Sequence, residues 1–125
     1  MPKVIIRIAL SSSSAIGPGK IRLLEHVGET GSISAAARAM KMSYRRAWLL
    51  VDELNRTFKE RVAVTEHGGR AGGGAKLTAF GRDLVRQYRQ METETHKALS
   101  THLAALDAAM QRRLSRSGKR RPATE

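Results

Sequence analysis

Cysteine is missing from this chain of 125 residues. Without thiols the protein can form neither disulfides nor thiolate metal sites, and it has no cysteine nucleophile. Acidic side chains are also few, because 11 Asp and Glu residues stand against 23 Lys and Arg residues and leave a formal net charge of +12. Such an excess of positive charge favours a polyanionic partner, with nucleic acid ahead of an acidic membrane surface.

Long apolar runs are missing as well. Nowhere do about 18 apolar residues follow one another, so the sequence offers no membrane span. The apolar start, Met1–Leu10, is too short for a signal peptide and is interrupted by Arg7. Ile6, Ile8 and Leu10 alternate with their neighbours, which predicts a strand with one face better buried. We therefore expect a soluble, cytoplasmic protein.

Residue groups typical of catalysis or metal binding are missing too. The carboxylates are scattered along the chain, and no serine lies in a nucleophile-elbow pattern. His96 and His102 are six residues apart, a spacing that does not let two helical imidazoles share a metal ion, while His26 and His67 stand alone. We expect no enzyme, no metal site and no cofactor.

Two helices are predicted in the first forty residues. Pro18 begins the first helix, and Gly28 and Gly31 close it. Its apolar stripe consists of Ile21, Leu24 and Val27. A short, alanine-rich second helix covers residues 35–40. Two serines are candidates for its cap, Ser32 and Ser34.

A third helix follows a tight turn at Lys41 and Met42, and Ser43 caps it. Its apolar residues recur at the helical period and predict the buried face: Ala47, Leu50, Val51, Leu54 and Phe58. Advancing about 100° per residue from Ala47 brings four side chains to the opposite face: Arg45, Leu49, Asp52 and Arg56. Two short helices joined by such a turn, with arginines in the first turn of the second helix, are typical of a helix-turn-helix.

The outward face of the third helix carries the candidate DNA-binding residues. Arg45 is the first candidate for base reading, because arginine pairs bidentately with guanine in the major groove. Leu49 can pack on a thymine methyl group, and Arg46 and Arg56 are suited to phosphate. The alternative is that these arginines only form a solvated helix face. Trp48, at the border of the buried stripe, is interpreted as a partly buried anchor that belongs to the core rather than as a base-stacking platform.

A hairpin is predicted after the third helix. Strands over Arg61–Glu66 and Ala75–Leu77 flank a glycine-rich loop at residues 67–74. The loop is not a P-loop, because a strand rather than a helix follows it. We interpret the hairpin as a wing that contacts phosphate through backbone N–H groups and basic side chains; a merely flexible hairpin is the alternative. The candidate wing contacts are Arg70, Gly72, Gly73 and Lys76.

The last helix, which Thr78 caps, carries a long apolar seam. The seam residues step by threes and fours: Leu84, Tyr88, Met91, Thr95, Leu99, Leu103, Leu106 and Met110. This length favours pairing with the same helix of a second protomer over folding back on its own domain. The predicted fold is therefore mainly α with a small β-sheet, a winged helix-turn-helix over residues 1–111 with a long C-terminal dimerisation helix. Residues 112–125 are predicted to be a basic, disordered tail.

Two segments, GSISAAARAMKMSYRRAWLLVDELN and GGRAGGGAKLTAFG, resemble the N-terminal DNA-binding domain of the ModE-type molybdate-responsive regulators. The resemblance covers roughly Val4–Leu99 and extends more distantly to the LysR-type winged helix. It implies a prokaryotic, cytoplasmic regulator of transcription, with molybdenum-related genes as candidate targets. The family's oxyanion-binding region has no counterpart here, so molybdate binding is not expected on this chain. Leu49 departs from the polar residue usual in the family.

The same resemblance implies particular residue roles. The implied DNA contacts are Ser43, Tyr44, Arg45 and Arg46, with wing contacts over residues 70–74. Dimerisation would use the N-terminal strand and the last helix. With the apolar alternation of that strand and the seam of that helix, the candidate dimerisation residues are Ile6, Ile8, Tyr88, Thr95, Leu99, Leu103, Leu106 and Met110. A two-fold dimer of this kind reads an inverted repeat.

Sequence-specific regulation of transcription on double-stranded DNA, by a homodimer, is the leading functional hypothesis. One alternative is a nonspecific architectural DNA binder, whose affinity would come from the wing and the basic tail. The other is an interaction module that docks a separate effector-sensing protein on the apolar seam.

Overall fold

The computed structural model describes residues 1–66 and 74–110. Within these ranges the elements are, in order, β1 (Ile8–Ala9), β2 (Ala15–Ile16), α1 (Pro18–Thr30), α2 (Ile33–Ala39), α3 (Tyr44–Thr57), β3 (Ala63–Glu66), β4 (Gly74–Leu77), α4 (Ala79–Ala98) and α5 (Ser100–Ala109). The predicted fold class, mainly helical with small sheets and a winged helix-turn-helix, is confirmed. The predicted domain end at residue 111 and the tail over residues 112–125 lie outside the described residues.

The chain forms two compact units. Ile5–Glu92 make up the larger unit, which contains the helix-turn-helix and the hairpin of β3 and β4. Met1–Val4 and, among the described residues, Thr93–Met110 make up the smaller one. Within the smaller unit, the backbone N–H of Val4 donates to His96 Nε2 at 3.1 Å.

The predicted strand over Met1–Leu10 is far shorter in the structure. Only Ile8–Ala9 pair, antiparallel to Ala15–Ile16. The strand ends because the chain reverses over its serines, where Leu10 N donates to Ser14 O at 2.8 Å. Ile6 and Ile8 pack against the core of their own unit, as the alternation predicted, whereas Leu10 is exposed.

Helix α1 buries the predicted stripe of Ile21, Leu24 and Val27. Pro18 occupies its first turn, where the missing N–H costs nothing. The prediction that Gly28 closes the helix is wrong, because α1 continues to Thr30. Gly31 ends it with φ 71°, a left-handed conformation that glycine adopts without strain.

Both helices of the helix-turn-helix begin with a serine cap. The Ser32 side chain accepts from Ala35 N at 3.0 Å and starts α2, which settles the choice between the two candidate serines. Ser43 accepts from Arg46 N at 3.0 Å and starts α3. Each cap satisfies one backbone N–H that the open helix end would leave unpaired. Between the helices, Lys41 has φ 57°, so the turn is tight.

The hairpin pairs β3 with β4 antiparallel, with Val64 opposite Lys76. It begins at Ala63, two residues later than predicted, because the Asn55 side chain accepts from Val62 N at 2.7 Å and Thr78 N donates to Val62 O at 3.0 Å. The loop over residues 67–73 lies outside the described residues.

The last helical segment supplies residues to the core before it is divided at Leu99, where φ is −102° and ψ is 10°. Leu84 and Tyr88 are buried, and the Tyr88 hydroxyl donates to Ile6 O at 2.6 Å. The assignment of Tyr88 to a dimer seam is therefore wrong, because its side chain fills the core of its own unit. Farther along, Thr95 and Leu103 are half-buried. The exposed seam residues are Leu99, Leu106 and Met110.

Candidate nucleic-acid interface

Helix α3 presents one apolar face to the core and a second, mixed face to solvent. Ala47, Val51 and Leu54 are buried. The predicted DNA-binding residues of this helix come together on its exposed side, namely Ser43, Tyr44, Arg45, Arg46, Leu49 and Arg56. Leu49 is 44% exposed and Tyr44 is 55% exposed. Large apolar side chains that remain in water beside arginines are typical of a surface that a partner covers.

The arginines of α3 differ in their ion pairing. Arg56 Nη2 lies 3.0 Å from Asp52 Oδ2, one helical turn earlier. Among residues 1–66 and 74–110, Arg45 and Arg46 form no ion pair. Arg45 and Arg46 therefore offer full positive charge to an anion, whereas the charge of Arg56 is partly balanced.

Side-chain bonds hold α3 on both of its flanks. On one flank Asn55 Oδ1 accepts from Val62 N at 2.7 Å and Nδ2 donates to Ala63 O at 3.1 Å, which ties α3 to the start of β3. On the other flank Glu53 Oε2 accepts from Lys20 Nζ at 2.8 Å, which ties α3 to α1. Sequence reasoning missed both ties, because each joins residues whose proximity depends on the tertiary fold. Such ties fix the angle at which α3 can meet a groove.

Trp48 is only partly buried, as predicted, but its assignment to the core is wrong, because the side chain is 41% exposed. It lines a small cleft between α3 and β3 together with Ile33, Val51, Asp52, Asn55, Arg61, Ala63 and Thr65. Its position about 100° around the helix from Ala47 was the signal, since that angle lies at the edge of the buried stripe. The strand packed beside it leaves the indole partly open.

The wing, defined as β3, β4 and the loop between them, adds one described candidate. Lys76 is exposed on β4, and its Nζ lies 3.4 Å from Glu66 Oε2 across the hairpin. The other predicted wing contacts, Arg70, Gly72 and Gly73, lie outside the described residues. The described part of the wing thus presents a basic side chain that is partly balanced by a neighbouring carboxylate.

Two further basic side chains extend this surface beyond the predicted set. Arg38 and Lys41 are exposed at the end of α2 and in the turn before α3. Arg38 Nη1 donates to Ser34 Oγ at 3.2 Å, one turn earlier on α2. Their closeness in sequence to Ser43 was the available signal.

Ion pairs away from this surface join α1 to α4. Arg89 Nε and Nη2 donate to the two carboxylate oxygens of Glu25 at 2.9 and 2.7 Å, and Nη1 donates to Glu92 at 2.7 Å. The hydrogen bonds from Arg89 hold the pKa of Glu25 below its usual range. Burial raises the pKa of the Tyr88 hydroxyl. These groups stabilise the scaffold that carries α3.

Two kinds of site are missing from the described residues. No three His, Asp or Glu side chains within ranges 1–66 and 74–110 are grouped so that they could hold a metal ion. No helix in the same ranges has the length and apolar character needed to cross a membrane.

The chain is similar in sequence to several known bacterial proteins. The chain is 38% identical over 99 residues to the molybdenum transport protein ModE of Azotobacter vinelandii, covering 78% of this chain and 37% of that one. It is 38% identical over 96 residues to the molybdenum-pterin-binding protein MopB of Rhodobacter capsulatus, covering 77% and 36%. With the DNA-binding transcriptional dual regulator ModE of Escherichia coli strain K12 it shares 31% identity over 96 residues, covering 77% and 37%. The chain thus spans little more than a third of the length of these relatives.

Solved structures share the fold. The CbnR_DBD–DNA complex superposes with a TM-score of 0.53 at 21% identity and covers 70% of this chain and 94% of that one. ArgP from Mycobacterium tuberculosis superposes with a TM-score of 0.50 at 20% identity, covering 75% and 31%.

The family model of bacterial regulatory helix-turn-helix proteins of the lysR family matches residues 19–82. This range includes α2, α3 and the wing and accounts for more than half of the chain. The capped helix pair, its exposed arginines and the wing are therefore the features of a DNA-binding regulator, and the chain belongs to the lysR family of bacterial regulatory helix-turn-helix proteins.

Proposed function

We propose that the chain is a sequence-specific regulator of transcription that places α3 in the major groove of double-stranded DNA. The observation that carries this proposal is the joint exposure of Arg45 and Leu49 opposite the buried face of α3. Arg45 lies in the first turn, which enters deepest in helix-turn-helix complexes. Its guanidinium would pair with guanine O6 and N7, and Leu49 would pack on a thymine methyl group.

Phosphate contacts would orient α3 in the groove. Ser43 and Tyr44 at the start of α3, together with the flanking Arg46 and Arg56, are suited to the backbone on either side. The proposed wing contacts are Arg70, Gly72, Gly73 and Lys76. Contacts of this kind fix orientation and add affinity that does not depend on sequence.

We propose further that the chain acts as a homodimer on an inverted repeat. The support is α5, a helix of ten residues of which none is fully buried among the residues that the structure describes, and which carries Leu106, 59% exposed. Leu99, Leu103 and Met110 would join it in the interface, with Thr95 at its edge. Ile6 and Ile8 pack on the core of their own protomer, so they would contribute to the dimer interface by positioning the backbone of the N-terminal strand. Sedimentation equilibrium should give twice the chain mass, and Leu106→Asp should give the monomer; a wild-type monomer at all concentrations tested would contradict the dimer.

Molybdenum-related genes are the proposed targets, and the bacterial cytoplasm is the proposed location. The support is similarity to proteins named for molybdenum transport and molybdenum-pterin binding. The matched residues are those of the helix-turn-helix and its surroundings, and we assign molybdate binding to none of them.

Selection of binding sites from random duplexes, with and without molybdate, tests the whole proposal. An enriched inverted repeat with half-site centres about 10 base pairs apart, or a multiple of that spacing, is expected. The same sequence and affinity are expected in both arms. Absence of any enriched sequence would contradict specific recognition and favour an architectural role, and a change with molybdate would contradict the assignment of no molybdate site.

A further inference from the structure

The cleft beside Trp48 has no place among the contacts proposed so far. Trp48 lies on the flank of α3 that also carries Asn55, and Asn55 is bonded to Val62 and to Ala63, the first residue of the wing. This flank, with β3 opposite it, forms the cleft. The cleft therefore lies between the two elements that grip DNA in the proposed complex, the groove-entering helix and the wing.

The size and lining of the cleft restrict what it can hold. Its volume is about 80 Å³, far below the roughly 300 to 1,000 Å³ of sites that enclose small-molecule ligands. A cleft of this size would not enclose a whole effector molecule, but it would hold a small part of a larger partner, such as one sugar ring of a nucleic-acid backbone. The walls suit such a ring, because Ile33, Val51 and Ala63 supply an apolar floor and the exposed indole of Trp48 a flat side.

The charged side chains that line the cleft favour a ligand whose anionic part stays at the edge of the cleft. Asp52 lines the cleft, and its carboxylate disfavours a phosphate inside, although the ion pair with Arg56 at 3.0 Å balances it in part. Arg61 lines the cleft as well and is exposed. Within the part of the chain that the structure describes, Arg61 has no ion pair. A neutral sugar inside the cleft avoids repulsion from the Asp52 carboxylate, and a phosphate at its edge can pair with the Arg61 guanidinium.

We propose that the cleft between α3 and β3 receives one deoxyribose–phosphate unit of the DNA strand that borders the major groove. Trp48 would pack on the sugar, and Arg61 would pair with the phosphate. This inference rests on the proposed function and adds a contact that carries no sequence information. Trp48 and Arg61 are thus positioning residues, which set how deeply α3 enters and how the wing meets the backbone.

Intrinsic fluorescence tests the position of the indole directly, because Trp48 is the only tryptophan in the chain. Saturation of the wild-type chain with a duplex should shift its emission to shorter wavelength, since the sugar would displace water from the ring. Selected and scrambled duplexes should both cause the shift. Emission that stays unchanged, while anisotropy of labelled DNA shows saturation, would overturn the proposal. A wild-type chain that binds no duplex at all would instead contradict the proposed function.

Affinity measurements separate this contact from base reading. Trp48→Ala should weaken binding roughly fivefold to tenfold for selected and scrambled duplexes alike, and leave their ratio unchanged. Trp48→Phe keeps a flat ring and should recover most of that loss. Arg61→Ala should reduce the slope of log affinity against log salt by about one, whereas the control Arg86→Ala, an exposed arginine on α4, should leave it unchanged. Wild-type affinity for both duplexes in Trp48→Ala would overturn the proposal. Because the fluorescence arm uses the unaltered chain, it decides the matter even if a variant unfolds.

Discussion

Gly81 in α4 lies so close to the backbone of Val62 that a Cβ on Gly81 would lie only 2.0 Å from the Val62 carbonyl oxygen. The same carbonyl accepts from Thr78 N at 3.0 Å. The first turn of α4 is thus in backbone contact with the residue that precedes β3. This contact fixes where the wing begins relative to the helix that follows it.

Replacement of Gly81 by alanine should therefore lower the free energy of unfolding by about 3 kcal/mol, because the two backbones must separate to admit a methyl group. Gly19→Ala is the matched control, since a Cβ at Gly19 in α1 would meet no atom of the described residues within 4 Å. The control should raise the free energy of unfolding by about 0.5 to 1 kcal/mol, because alanine lowers the conformational entropy of the unfolded chain. Urea denaturation of both variants measures the difference, and equal stabilities would contradict the close contact.

The amide of Asn55 should matter for stability and for DNA binding together. Asn55→Ala removes the partner of Val62 N and one partner each of Ala63 N and Ala63 O, at a cost of about 2 kcal/mol. The start of β3 would then be free to move, so DNA affinity should also fall. Gln87→Ala, an exposed amide on α4, should change stability by less than about 0.5 kcal/mol. A stable Asn55→Ala variant with unchanged affinity would contradict the role of this tie.

Acid should weaken the link between α1 and α4. Because Arg89 holds the pKa of Glu25 below the 4.5 of an unfolded glutamate, the stabilisation is complete above that value and is lost as pH falls through the lowered pKa. Wild type should exceed Glu25→Gln in melting temperature at pH 7, and the difference should shrink below pH 4.5. The side chains of Glu25 and Arg89 are both partly exposed, and solvent screening therefore limits the size of this difference in melting temperature.

Glu29→Gln is the control for this acid effect. Glu29 lies on the same helix and is 74% exposed, and its carboxylate lies 3.7 Å from His26 Nδ1. The melting temperature of Glu29→Gln at pH 7 should lie close to that of wild type, because exposed ion pairs contribute little to stability. A difference between Glu25→Gln and wild type that did not change with pH would contradict the assignment to the Glu25 carboxylate.

Leu49 should make the chain sensitive to a single methyl group. Replacement of thymine by uracil at the base that Leu49 faces should cost wild type about 0.8 kcal/mol of binding free energy, the value of one buried CH₂ group. Leu49→Ala should bind both duplexes with nearly equal affinity. The four affinities form a cycle, and a methyl preference of the same size in the variant would remove Leu49 from base recognition.

The fold could be read from the sequence where the signals are local. The structure has the Ser43 cap, the buried stripe around Ala47 and the helix end at Gly31. Each of these features is predicted by residues that are close together in the sequence. Trp48 and Tyr88 were misplaced because their burial depends on elements distant in sequence, β3 for the indole and the Ile6 segment for the phenol.

The candidate DNA-binding surface divides in the same way. Arg45 and Leu49 followed from angles around a single helix and are exposed as predicted. The ties made by Asn55 and Lys20 could not be predicted, because they depend on how α3 packs between the wing and α1. Local sequence patterns therefore predict helix α3 itself, but they do not predict the tertiary contacts that set its orientation.

The affinity of Arg45→Ala for a selected duplex and for a scrambled one tests specific recognition most directly. Arg46→Ala, the next residue on the same helix turn, serves as the comparison. Arg45→Ala should lose about 1 to 3 kcal/mol on the selected duplex and little on the scrambled one, whereas Arg46→Ala should weaken both alike. Equal losses on both duplexes for Arg45→Ala would contradict the claim that α3 reads sequence through this arginine.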